Sequence, residues 1–116
     1  MTTVATPSGT PAPVYNRSGI TIDTITAAAT RTAITRYSGH TVVLVSNGGS
    51  TSNGVELPSG AEIGDVVEVL VATYGQSCLL SAAAGDSLNL GSPMFCGAAV
   101  VVRKTTSTGW SVLSAT

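Results

Sequence analysis

The chain reads as an all-β protein, a single compact sandwich, jelly roll or small barrel behind an extended N-terminal arm, and three observations predict this. Apolar residues recur with the two-residue period of strands from Gly19 onward. Clusters of Gly, Asn, Ser and Thr cut that pattern into eight or so short runs, none with the length and period of a helix. At 116 residues there is room for one core and not for a separate catalytic domain.

Residues 1–18 hold three of the five prolines, Pro7, Pro11 and Pro13, among Thr, Ala, Ser and Gly. Proline fixes φ and removes a donor, so the stretch favours extended or polyproline conformations. It is expected to be an arm in which Val4, Val14 and Tyr15 supply apolar surface to bury on a partner, with residues 19–116 forming the β-domain. Ile20 and Ile22 begin the first strand, Ala33 and Thr35 mark a short second one, and His40-Thr41-Val42-Val43-Leu44-Val45-Ser46 is the third. Asn47-Gly48-Gly49 and Asn53-Gly54 tolerate positive φ, so the segment between them should be a loop.

Gly54-Val55-Glu56-Leu57 is a short strand ended by Pro58, which cannot donate to a central ladder. The clearest strand spans residues 65–72: Val67, Val69 and Val71 share one face, and Glu68 lies on the other between Val66 and Leu70. Residues 77–81 and 87–90 are shorter candidates. Residues 98–103 and 110–113 close the domain as two strands around a Thr/Ser/Gly hairpin. Thr26-Ala27-Ala28-Ala29-Thr30-Arg31 has helix-like composition but is too short to stand alone.

Charged residues make up 9% of the chain, against about 25% in an ordinary soluble domain. An exterior so poor in charge fits a surface covered by neighbouring copies or a large partner; a surface carried by Ser, Thr and Gly is the alternative. A net charge of −1, with only Arg103-Lys104 adjacent among five basic residues, lacks the clustered cationic footprint that nucleic acid requires. No apolar stretch approaches the roughly 18 residues of a membrane span. The opening residues have neither the basic start nor the apolar block of a secretion signal, so residence in a cytoplasm is expected. In a reducing compartment Cys78 and Cys96 are expected as free thiols, although they could meet across neighbouring strands. Two cysteines fall short of the four ligands of structural zinc, and no metal or other cofactor is expected.

Candidate chemistry is sparse. Gly85-Asp86-Ser87-Leu88 spells the signature of a lipase/esterase family, but the sole histidine, His40, lies upstream inside a strand run. Without a positioned base the Ser87 hydroxyl is a weak nucleophile, and Asp86 is better read as capping a turn. His40 has no second histidine to share a metal and reads as a strand-edge or interface residue. The carboxylates Asp65 and Glu68, or Glu56 and Glu62, form no dense acidic loop. Trp110 could stack on a sugar, though a lone Trp opening a final strand more often caps the core. The expectation is a protein without enzymatic activity.

Leu57-Pro58, Gly64-Asp65-Val66-Val67, Gly85-Asp86-Ser87-Leu88 and Gly109-Trp110-Ser111-Val112 occur in an order that resembles small β-domains of tailed-bacteriophage virion proteins. These include capsid decoration (cement) proteins, head fibres and tail-fibre modules, and the resemblance runs from Arg17 to Leu113. It implies a virion structural protein. The short chain and the absence of a recognisable repeat favour a decoration protein over a fibre shaft. The implied partners are two: further copies of the chain, as a homotrimer, and the major capsid protein, gripped by the arm through Val4, Pro7, Pro11, Pro13, Val14 and Tyr15. The implied location is the capsid exterior after synthesis in the host cytoplasm. The alternative is a carbohydrate- or receptor-binding module of a phage fibre, with Trp110 and the loops at 47–53 and 105–109 as its surface.

Overall fold

Strands form where β-branched and other apolar residues alternate along the chain, because branched side chains fit a pleated, half-buried surface. The computed structural model describes residues 19–46, 53–72 and 76–116. In chain order its strands are β1 (Ile20–Thr26), β2 (Thr32–Ala33), β3 (His40–Ser46), β4 (Gly54–Glu56), β5 (Val66–Val71), β6 (Cys78–Ser81), β7 (Ser87–Leu88), β8 (Met94–Cys96), β9 (Ala99–Thr106) and β10 (Gly109–Ala115). The all-β character is as the periodicity predicts, and no helix occurs among the described residues. The expected arm, with Val4, Pro7, Pro11, Pro13, Val14 and Tyr15, lies outside them.

The path of the chain differs from the sandwich, jelly roll or barrel expected. One sheet has six strands in the order β1-β3-β5-β9-β10-β7, the other four in the order β2-β4-β6-β8. β1, β3 and β5 run parallel, and so do β2, β4 and β6. The chain therefore crosses from the large sheet to the small one and back, coil upon coil, in a solenoid-like winding. Equivalent positions are Ile20, His40 and Val66. They share no residue type and their spacing is unequal, so the repetition is structural and leaves no repeat in the sequence. The closing hairpin is as expected: β9 runs antiparallel to β5, and β10 antiparallel to β9.

Both sheets contribute to one core. Register stacks Val43 on Val69 and Val100, and Thr41 on Val67 and Val102, and all six are buried. The small sheet answers with Val55, Cys78, Leu80, Met94 and Cys96. Thr41 is satisfied inside by accepting the Ser38 amide at 3.0 Å. Trp110, only 1% exposed, closes the core beside Leu88.

The Asn53-Gly54 signal has a different cause from the one expected. Gly54 has no positive φ; what it supplies is room. A Cβ there would sit 2.3 Å from the Leu79 carbonyl oxygen and 2.9 Å from Cδ of Arg31. The Arg31 side chain thus crosses coil two over Gly54 and reaches coil three, where its Nε donates to Ser81 Oγ at 3.1 Å. Arg31 itself adopts φ 66°, a left-handed conformation that costs about 1 kcal/mol or more in a non-glycine residue. Its hydrogen bonds to Ser81 and to the Ala29 carbonyl hold it there. The helix-like 26–31 segment is the turn that delivers this arginine, with Ala27 in the core and Ala28 bridged to Gly54.

Candidate interaction surface

Residues one position off the core ladders form the outer face of the large sheet. One outward row runs Ile22, Val42, Glu68, Val101; the next runs Thr24, Leu44, Leu70, Ala99; a third runs Ile20, His40, Val66, Arg103. Most of this face is aliphatic. Ile22 is 62% exposed, and Val42, Leu44, Leu70 and Val101, neighbours in these rows, are half-buried.

Charge is nearly absent from the middle of the face. Glu68 lies diagonal to His40 across β3 and β5, and their side chains form a hydrogen-bonded pair through His40 Nε2 and Glu68 Oε2. Arg103 stands at the end of its row. The arrangement offers a flat apolar surface carrying one internally matched polar pair, which suits burial against protein and places no nucleophile or open ligand set there. Parallel sheets as a class have both faces covered, and here the second face of β1, β3 and β5 is covered by nothing among the described residues.

The other singled-out residues fall elsewhere. Ser87 is on β7, at the far edge of the large sheet, and β5, β9 and β10 lie between it and the strand that carries His40. Asp86 does more than shape a turn: its Oδ2 lies 3.3 Å from Nζ of Lys104, a lysine 4% exposed and set 5.7 Å above the Trp110 ring. Sequence reasoning missed this buried pair, since Arg103-Lys104 reads as a surface doublet until the alternation of β9 turns Lys104 inward. Trp110 is corrected as a glycan contact: at 1% exposure it is a core residue and offers no stacking face. Asp65 serves its own turn, accepting the Glu62 amide at 2.9 Å, and Glu62 is exposed while Glu56 is half-buried. Among the described residues no group of three or more His, Cys, Asp or Glu could hold a metal ion, and no helix is long and apolar enough to cross a membrane.

Cys78 and Cys96 face one another directly across β6 and β8, both fully buried and both free. The Cys96 thiol is held well above the usual thiol range, first by its hydrogen bond to Cys78 and then by burial.

The face itself was missed residue by residue, although its signal was present. In Val42-Val43-Leu44-Val45 and Val69-Leu70-Val71 the outward positions are as apolar as the inward ones, which is the pattern of a strand covered on both sides. No protein-family model matches the chain, and no curated protein matches it.

Proposed function

We propose that this chain is a virion structural protein, a capsid decoration protein of a tailed bacteriophage. It would self-associate through the outer face of the large sheet, as a trimer, and seat on the exterior of the capsid. The single observation that carries the reading is the aliphatic outer face of β1, β3 and β5, with its one polar pair, His40 and Glu68, already matched. Burying such a face between copies releases water from apolar surface at about 25 cal/mol per Å², keeps Glu68 on His40 and leaves Arg103 at the margin. The scarcity of ionised residues noted in the composition is then concentrated where copies would meet.

In this reading residues 1–18 reach onto neighbouring subunits of the major capsid protein. Three weak contacts from one trimer act at high effective concentration once the first has engaged. The capsid gains a clamp across subunit boundaries, and the action is mechanical and needs no cofactor. Light scattering on the purified protein should return three times the 11.5 kDa chain mass. Deleting residues 2–15 should leave that oligomer folded and abolish binding to undecorated capsids. A monomer at high concentration would overturn the self-association, and undiminished capsid binding by the truncated chain would overturn the role of the arm.

A further inference from the structure

The two cysteines occupy the one place in the small sheet where a covalent link could form without moving the backbone. β6 and β8 are antiparallel neighbours, and their register sets Cys78 opposite Cys96, Leu79 opposite Phe95 and Leu80 opposite Met94. Directly opposed residues on antiparallel strands have Cα atoms about 4.5–5.5 Å apart, inside the roughly 4.4–6.8 Å range that a disulfide requires. Both side chains point to the core, so their Cβ vectors converge on one side of the sheet. The Cys96 Sγ lies 3.8 Å from the Val69 carbonyl of the large sheet, so the pair sits inside the core between the two sheets.

We propose that Cys78 and Cys96 are an oxidisable pair that closes to an intramolecular disulfide when the protein meets a small-molecule disulfide such as oxidised glutathione. The Cys78 thiolate attacks one sulfur of the glutathione disulfide, forms a mixed disulfide and expels one glutathione thiolate. The Cys96 thiolate then attacks the Cys78 sulfur and expels the second. Two electrons pass from the cysteines to the glutathione disulfide, and the two cysteine protons end on the two released thiols.

What the bridge would hold is a short edge strand of the small sheet. β8 has three residues, pairs only with β6 among the described residues, and presents Phe95 at 62% exposure. Such a strand opens locally more readily than the ladders of the large sheet, and that opening is also the route by which an oxidant reaches two buried thiols. In the reduced protein the pair packs as two small apolar side chains. In the oxidised protein it fixes β6, the small-sheet strand of the third coil, to β8. The inference is independent of the proposed role on a capsid.

The test uses the full-length reduced protein incubated with oxidised glutathione near pH 8, read by intact mass, non-reducing electrophoresis and thermal melting. The expected result is a mass lower by two hydrogens, migration as a single chain, and a melting temperature raised by roughly 10 °C that dithiothreitol reverses. Cys96→Ser should instead stop at a stable glutathione adduct on Cys78. Because burial slows attack, the same reaction is repeated during refolding from urea, where access is unrestricted. Thiols still free after that refolding, disulfides formed only between chains, or an oxidised form that melts below the reduced one would each overturn the proposal.

Discussion

Removing the carboxylate of Asp86 tests whether the closing hairpin is held by a buried charge pair. Asp86 Oδ2 stands 3.3 Å from Lys104 Nζ, with side-chain exposures of 11% and 5%. The aliphatic stem of Lys104 occupies a position that alternation along β9 assigns to the core, and its ammonium sits above the Trp110 ring. In Asp86→Ala the ammonium keeps its burial and loses its one carboxylate partner among the described residues. Breaking one side of a buried pair costs about 3–5 kcal/mol; the separation is long for a charged hydrogen bond, so the lower end, roughly 3 kcal/mol, is the expected loss.

With a urea m-value of about 1.5 kcal/mol/M for a chain this size, the unfolding midpoint should fall by roughly 2 M. Trp110, the sole tryptophan and a buried one, reports the transition by fluorescence. The decisive companion is Asp86→Leu combined with Lys104→Met, which replaces the pair by apolar groups of similar volume and should recover most of the loss. A midpoint for Asp86→Ala within about 0.3 M of the parent, or a double variant no more stable than the single one, would refute the reasoning.

Three further outcomes follow from the packing. Gly54→Ala should destabilise by roughly 2–3 kcal/mol in a thermal melt, because the new methyl meets the Leu79 carbonyl and the Arg31 stem. Mere relief of unfolded-chain entropy would instead stabilise by about 0.4–1 kcal/mol, so a gain in stability would sink the account of Gly54 as a passage for Arg31. Leu70→Glu, on the outer face between Leu44 and Ala99, should leave circular dichroism unchanged and shift sedimentation toward the single chain; an intact oligomer would move the interface elsewhere. Thr41→Val keeps the shape of a buried side chain but strands the Ser38 amide that it accepts, and should cost about 1 kcal/mol in urea unfolding.

The strands of the large sheet were legible because period-two alternation is a local property, written into Val67, Val69 and Val71 or into Thr41, Val43 and Val45. The winding was not. Whether β3 pairs with β1 in parallel or turns back in a hairpin depends on where the intervening segment runs, and β2 and β4, with two and three residues, are too short to announce a second sheet. Asn53-Gly54 was legible as a special position and misread in kind, since a glycine chosen for φ and one chosen for space look alike in sequence. Lys104 was hidden for a related reason: the pattern of β9 assigns it inward, while its charge argues outward, and only the carboxylate of Asp86, eighteen positions away, resolves the conflict. The apolar outer face was readable in principle from Leu44 and Leu70, yet its meaning depends on parallel pairing that no single strand encodes.

Asp23 carries a consequence for how the molecule ends. It stacks on Val43 at a core-side position of β1, the edge strand of the large sheet among the described residues, and its carboxylate accepts from Arg36 at 3.1 Å and from the Thr24 amide at 3.0 Å. Parallel coils have no intrinsic reason to stop at a fixed number, and a bare seven-residue edge invites another molecule to continue the stack. A turn laid against β1 would seal that carboxylate away from water, at a penalty larger than a few backbone hydrogen bonds return. At the opposite end the reversal into β9 and the two-residue β7 leave little to extend. Among the described residues, then, the stack is discouraged from growing along its axis at both ends, by an inward carboxylate at one and by a reversal of the chain at the other.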